Sequence, residues 1–277
     1  MKFGDFEIRT FVEQRFKLDG GAMYGIVPKT LWQKHTPADD NNLIDMVTNI
    51  FVVSAHDRHI LIETGLGDTL SDREKKVYGI TEESRLESGL ASLGLSPEDI
   101  DIVVLTHLHT DHAGGAVKLV DGEYVPRFPK ASYVVAQVEW SEAMYPDERT
   151  AAVYHKERLR ALKDAGQLML LAVNTKLLPG IKTTHTGGHT PGHFGIEMES
   201  GGQKVCYYSD IYPMLPHLRT AWVPATDLNP VETMDIKRKL LPTIVDTDVV
   251  LAFDHDVHTP LARIKSEGKG FVAEPVE

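Results

Sequence analysis

Phe6-Glu7-Ile8-Arg9-Thr10-Phe11-Val12 alternates apolar and polar side chains closely enough to predict an opening strand. Residues 46–53 and His59-Ile60-Leu61-Ile62 are mostly apolar and flank the polar Ala55-His56-Asp57-Arg58, which predicts two strands of a hairpin. Leu86, Leu90 and Leu93 recur at helical spacing before Gly94, the signature of an amphipathic helix that ends at a glycine. Ile100-Asp101-Ile102-Val103-Val104-Leu105 is short, apolar and rich in β-branched residues, so it reads as a buried strand. Further along, a strand is expected within 132–138, a helix over 148–165 stopped near Gly166, and a strand over 204–209. A helix over 231–240 between Pro230 and Pro242, and a last strand at 248–253, complete the prediction.

Residues 19–42 break the pattern. Gly20, Gly21, Gly25, Pro28 and Pro37 stand beside Met23, Tyr24, Leu31 and Trp32, which predicts a long, unusually apolar, glycine-rich loop. Such a loop either packs on the core or forms a pocket wall or dimer contact. No repeat, low-complexity stretch or linker divides the chain.

Composition narrows the class. The chain has 277 residues, 42% hydrophobic and 25% charged, which excludes a disulfide-dense miniprotein, a collagen-like repeat and a disordered acidic tail. Its net charge of −11, with no cluster of Lys or Arg, disfavours nucleic acid as a partner. A single cysteine, Cys206, precludes an internal disulfide and a Cys-rich zinc site and suits a reducing compartment. Met1 is followed by the polar Lys2-Phe3-Gly4-Asp5, and no apolar run is long enough for a membrane span. The expectation is a cytoplasmic protein with no membrane partner.

The candidate chemistry follows the buried strand at 100–105, in Thr106-His107-Leu108-His109-Thr110-Asp111-His112-Ala113-Gly114-Gly115. In extended backbone, side chains two apart share a face, so His107, His109 and Asp111 can converge while His112 points elsewhere. That is awkward for one tetrahedral ion and natural for two, one taking His107 and His109, the other Asp111 and His112. A chance occurrence of this spacing has a probability of about 0.002. Two ions need more donors. In His185-Thr186-Gly187-Gly188-His189-Thr190-Pro191-Gly192-His193 the glycines and proline forbid a regular helix; His189 is favoured, and His185 and His193 read as supporting or packing residues. Asp210, at the end of Val205-Cys206-Tyr207-Tyr208-Ser209, needs a cationic partner and would suit a bridge. In Phe253-Asp254-His255-Asp256-Val257-His258, spacing does not choose between His255 and His258.

This ordered set of motifs resembles the metallo-β-lactamase superfamily over about residues 43–258. The resemblance implies an α+β, four-layer αβ/βα sandwich with a two-metal site at one edge of the paired sheets. By the family pattern His107, His109 and His189 hold one ion, Asp111, His112 and His255 the other, and Asp210 bridges. Ligands spread over most of the chain favour one hydrolase domain over 1–277, with the apolar loop at 19–42.

Within the superfamily, Asp210 stands where zinc β-lactamases commonly carry cysteine. Only 22 residues follow His255, too few for the C-terminal helical domain of glyoxalase II-type thioesterases. No appended nucleic-acid module of the RNA-processing nucleases is visible, nor the flavin domain of the diiron redox members. Asp19-Gly20-Gly21-Ala22-Met23-Tyr24-Gly25-Ile26-Val27-Pro28-Lys29 with Leu31-Trp32, and Tyr78-Gly79-Ile80-Thr81-Glu82-Glu83-Ser84, are similar to segments of quorum-quenching N-acyl-homoserine lactonases. Two departures stand out: Glu63 replaces the usual Asp before the first conserved glycine, and the nearest tyrosine after Asp210 is Tyr212, two residues on instead of three.

The resemblance therefore implies opening of the lactone ring of N-acyl-homoserine lactones. Two divalent ions, zinc foremost with Mn, Fe or Co as alternatives, would activate water and polarise the carbonyl. Asp111 is the implied proton shuttle, and Tyr212 a candidate hydrogen-bond donor to the oxyanion. Met23, Tyr24, Trp32, Met144, Leu215, His217 and Trp222 are candidates for the substrate pocket. The partner expected is a small-molecule lactone or ester, with a homodimer left open. A phosphotriesterase or arylesterase on the same site, and a non-catalytic metal sensor, are the alternatives.

Overall fold

The computed structural model describes residues 1–276. Its first sheet is built from β1 (Lys2–Phe3), β2 (Phe6–Asp19), β3 (Leu43–Ala55), β4 (Arg58–Ile62) and β5 (Ile102–Val104). After the small hairpin of β6 (Val117–Val120) and β7 (Glu123–Pro126), β8 (Ser132–Ala136) and β9 (Leu168–Leu171) extend that sheet at its far edge. The second sheet runs in chain order through β10 (Lys176–Leu178), β11 (Ile181–His185), β12 (Phe194–Ser200), β13 (Gln203–Tyr207), β14 (Val250–Ala252), β15 (Leu261–Glu267) and β16 (Gly270–Pro275). Each sheet has seven strands; the first is half antiparallel and half parallel in its pairings, the second mostly antiparallel. The parallel pairs are β4 with β5, β5 with β8, and β8 with β9 in the first sheet, and β13 with β14 in the second.

The helices are α1 (Gly20–Tyr24), α2 (Lys29–Trp32), α3 (Asp72–Val77), α4 (Leu86–Ser92), α5 (Thr110–Ala113), α6 (Gln137–Met144), α7 (Lys156–Asp164) and α8 (Pro230–Leu240). Strand periodicity sorts the core into layers. In β3, Phe51 and Val53 face inward to meet Ile196, Met198 and Tyr207 of the second sheet. Val52, between them, faces outward with Leu61, Val103 and Tyr133 onto Leu86 and Leu90 of α4, Trp140 of α6 and Leu159 of α7. On the other side Cys206, Tyr208, Leu251 and Ile264 pack against Leu240 and Ile244 at the end of α8. The result is helix, sheet, sheet, helix, the four-layer α+β sandwich expected.

The predicted hairpin at 46–62 is present as β3 and β4, and the Leu86, Leu90 stripe is the buried face of α4. The 19–42 segment is not a plain loop. It folds into α1 and α2, with Asp19 capping α1 through Gly21 N–H, and Met23, Tyr24 and Trp32 join Phe16, Ile44, Met46 and Leu66 in a fourth core cluster. The helix expected over 148–165 is confined to Lys156–Asp164, because Asp147 Oδ1 accepts the N–H groups of Arg149 and Thr150 and closes a turn instead. The strand at 248–253 is not the last; β15 and β16 follow, with exposed polar residues diluting their alternation. Among the described residues no helix is long and apolar enough to cross a membrane.

Candidate metal centre

The chain leaving β5 crosses to the second sheet, where Phe194 N–H donates to Thr106 O at 3.2 Å. His107 and His109 lie on this crossing, and His109 caps the single turn of α5 that carries Asp111 and His112. Thr64 fixes that turn, its N–H and hydroxyl both donating to His112 O at 2.8 Å. His189 lies on the turn between β11 and β12. There Gly188 has φ +73°, and a Cβ on it would come within 2.9 Å of Thr233 N at the start of α8, so only glycine lets the turn seat on that helix. Asp210 sits on the turn just past β13, and His255 just past β14.

These residues form two buried groups of donor atoms, each within 4.8 Å: His107, His109, His189 and Asp210, and His112, Asp210, Asp254 and His255. Asp210 belongs to both. Its Oδ2 is 3.0 Å from His189 Nε2 and 3.9 Å from His107 Nε2, while its Oδ1 is 3.4 Å from Nε2 of both His112 and His255. One carboxylate thus turns one oxygen to each imidazole set. His107 Nε2, His112 Nε2 and Asp210 Oδ1 are buried without a hydrogen-bond partner, and His109 turns Nδ1 to within 3.1 Å of His189 Nε2, an arrangement rare in proteins unless an ion occupies the space between the atoms. Imidazole and carboxylate donors in this number fit divalent transition-metal ions.

The far sides of the rings are held. His189 Nδ1 is 2.8 Å from Asp227 Oδ1, and His255 Nδ1 donates to Val47 O at 2.8 Å, which turns each Nε2 inward. Glu139 is buried behind the histidines, accepting from Leu108 N–H at 2.9 Å, Tyr154 hydroxyl at 3.0 Å and the Thr190 hydroxyl. Burial, reinforced by neighbouring imidazoles, holds His107 and His109 well below the usual histidine range. Burial opposes charge on Asp210 too, but His189 and His112 outweigh it and keep the carboxyl well below its ordinary value. Burial lifts Asp254 to about 7.

A cavity of about 440 Å³ opens onto both groups. Its wall is largely apolar, with Leu18, Met23, Val77, Val153 and Leu228, and its floor includes His109, Asp111, Asp210 and His255. Tyr78 and Arg149 also face it.

A family model for the metallo-beta-lactamase superfamily matches residues 43–255. The chain belongs to this superfamily. A solved structure of a probable metal-dependent hydrolase from Staphylococcus aureus is 32% identical, covers 100% of this chain and 99% of its own, and superposes with a TM-score of 0.93. AidC, a dizinc quorum-quenching lactonase solved with a product, covers 100% of this chain and 96% of its own at 21% identity and TM-score 0.82, a likeness of fold. The N-acyl homoserine lactonase of Bacillus thuringiensis is 23% identical over 78% of this chain and 83% of its own length. A lactonase from Bacillus sp. is 26% identical over 57% of this chain, and the match spans only 60% of that relative's length. Superfamily membership together with the buried His/Asp clusters supports a metal-dependent hydrolase.

Of the expected metal-site residues, His107, His109, His189, Asp210, His112 and His255 converge on this metallo-β-lactamase centre. Asp111 stands at its open side, 3.9 Å from His112 Nε2 and 3.7 Å from His255 Nε2, with its side chain 16% exposed. His258 is exposed and belongs to neither group, whereas His255 is buried within the second. His193 packs 5.1 Å from the His107 ring, and His185 Nε2 bonds Pro191 O.

The substrate-side candidates need correction. Tyr212 does not reach the cavity; its hydroxyl donates to Lys237 O at 3.2 Å inside the α8 layer. Of the pocket residues only Met23 lines the cavity. Tyr24 is stacked between Trp32, at 5.0 Å, and His217, at 4.9 Å, with Trp222 edge-on at 5.6 Å. These rings pack on one another behind the cavity wall, and His217 Nε2 donates to Met23 O at 2.8 Å, bracing that wall. Met144, the last residue of α6, packs into the core of the first sheet's outer layer, and Leu215 packs on the outer layer of the second sheet. Sequence reasoning passed over Asp254, Asp227, Glu139, Tyr78 and Arg149. Asp254 adjoins a marked histidine and Tyr78 opens a quoted segment, which were available signals; Asp227, Glu139 and Arg149 lie in unremarkable sequence.

Proposed function

We propose that this chain, read as one hydrolase unit over residues 1–277, opens the lactone ring of N-acyl homoserine lactones with two divalent metal ions. The observation that carries the reading is Asp210, whose two oxygens address separate imidazole sets at the floor of an apolar-walled cavity. His107, His109, His189 and Asp210 would hold one ion, and Asp111, His112, Asp210 and His255 the other. Such ions supply a nucleophile from water near neutral pH and stabilise negative charge on a carbonyl oxygen. The chain's own groups do the rest. Asp111, on the cavity side of the cluster, can carry a proton on its carboxylate to the departing ring oxygen. Tyr78, whose hydroxyl lies near Thr110 and Asp111, is the tyrosine placed to donate a hydrogen bond into the cavity, the role expected of Tyr212. The apolar wall excludes water and suits an acyl chain. Lactonases among the relatives, and the product complex of AidC, support the substrate class.

The test is hydrolysis of N-acyl homoserine lactones of several chain lengths by metal-loaded protein, followed by acid release, beside a phosphotriester and an aryl ester. Lactone turnover with the highest kcat/KM, lost in His109→Ala and Asp210→Ala, is expected. Preference for the phosphotriester or aryl ester transfers the site to that chemistry, and no turnover of any of them leaves a sensor.

A further inference from the structure

Asp254 poses a problem that the ligand set just given does not solve. It is 2% exposed, yet its Oδ2 has only long contacts, 3.3 Å from the Ser209 hydroxyl and 3.5 Å from the Tyr207 hydroxyl, and its Oδ1 has none. Asp227, similarly buried, is served by His189 Nδ1 and the Thr233 hydroxyl, and Asp256 by the N–H groups of Leu215, His258 and Thr259. A carboxylate buried with so few close partners is costly, and Asp210 addresses the same His255 nitrogen from the other side, so two carboxylates crowd one space. A cation resolves both terms.

The distances show where it would lie. Asp254 Oδ2 is 3.5 Å from His255 Nε2 and 4.0 Å from His112 Nε2. Donor atoms about 2.0–2.2 Å from one ion are separated by no more than about 4.4 Å. Asp210 Oδ1 meets the same two nitrogens at 3.4 Å, and Asp111 meets them at 3.9 and 3.7 Å. This position is therefore offered two nitrogens and three carboxylates, whereas the other has three histidines and one carboxylate.

Resting on the two-metal reading above, we propose that Asp254 is a further direct ligand of the second ion. The oxygen-rich set so formed biases that position toward harder ions such as Mn²⁺ and leaves the three-histidine position to Zn²⁺.

The experiment strips wild type, Asp254→Asn and Asp254→Ser of metal, adds one equivalent of Zn²⁺ to fill the three-histidine position, and then titrates in Mn²⁺. Elemental analysis gives the stoichiometry, anomalous scattering at each metal's absorption edge the position, and Mn²⁺ electron spin resonance the environment. Wild type is expected to hold two ions with manganese beside Asp254. Both variants should lose manganese affinity tenfold or more while keeping zinc among the three histidines. Unfolding of the metal-free proteins separates a structural role: the variants should be at least as stable as wild type, because the substitution removes a poorly partnered buried carboxyl. Variants with the wild-type metal distribution, or metal-free variants less stable than wild type, overturn the assignment and leave the lactonase reading standing. A wild type that holds fewer than two ions overturns both.

Discussion

Glu139→Ala tests how the two histidine-bearing segments are held together. Its carboxylate takes the N–H of Leu108, between His107 and His109, the hydroxyl of Thr190, next to His189, and the hydroxyl of Tyr154, whose ring lies 5.1 Å from His109. Truncation leaves three buried donors unpaired at about 1–3 kcal/mol each. Against that, removing a carboxylate whose burial raises its pKa returns part of the cost. A net loss of about 2–4 kcal/mol in the metal-free protein is expected, measured by urea unfolding in the presence of chelator. Because the unpaired groups adjoin donors of the three-histidine position, zinc affinity there should fall about 10–100-fold, read by competition with a chromogenic chelator. Glu139→Gln keeps one acceptor oxygen and should fall between. Stability reduced with unchanged zinc affinity would refute the positioning role; neither changing would refute the hydrogen-bond reasoning itself.

Gly192→Ala places a Cβ 2.2 Å from Glu139 N, a backbone atom that cannot yield, and should cost about 1–3 kcal/mol by urea unfolding, with zinc affinity falling alongside. Tyr212→Phe should cost about 1 kcal/mol and leave kcat for lactone within twofold, whereas Tyr78→Phe should lower kcat about tenfold or more with little change in KM; the reverse ranking restores Tyr212 to the site. Burial would lift the Glu197 carboxyl, but Lys204 at 2.6 Å, Thr184 at 2.8 Å and Lys182 at 3.3 Å hold it down to about 2. A depressed folded pKa gives stability that is present above the unfolded value of 4.5 and lost as pH falls toward 2. Discounted for screening at the two partly exposed lysines, Glu197→Gln should cost about 1–2 kcal/mol at pH 6 and about a quarter of that near pH 2.5, and a cost that does not change with pH contradicts the pairing.

What the sequence disclosed followed physical type. The candidate ligand histidines stand in short motifs whose residues are rare together, so His107, His109, His112 and His189 are visible without coordinates. Asp210 was legible because a carboxylate just past an apolar strand needs a cation. Other residues act through partners far along the chain: Asp227 meets His189 38 residues away, and Glu139 meets Thr190 51 residues away, with no local pattern to announce either. The aromatic residues of 19–42 were misread for a related reason. Hydrophobicity predicts that Tyr24 and Trp32 will be covered but not by what, and here they cover each other with His217. Tyr212 failed on direction, since two residues past Asp210 the chain has already turned toward α8.

The placement of the centre follows from strand direction. In a parallel pair both strands deliver their C-terminal ends to the same edge of the sheet. Parallel β4, β5 and β8 therefore release Glu63, the His107 segment and α6 with Glu139 at one edge, and parallel β13 and β14 release Asp210, Asp254 and His255 at one edge of the other sheet. Phe194 N–H on Thr106 O and Asn49 N–H on Asp254 O, the latter at 2.7 Å, join the two edges. The antiparallel strands frame the sandwich, brace the centre through Val47 and Asn49 of β3, and carry His189 on the β11–β12 turn. Each proposed ion thus draws ligands from both sheets: His107 and His109 with His189 and Asp210 on one side, His112 with Asp210 and His255 on the other. An ion bound in this way holds the sheet edges together as well as doing chemistry, and anything that binds the folded state alone adds to its stability. The burial of so many histidines and carboxylates fits that reading, because cations among them would offset the cost of holding those groups out of water.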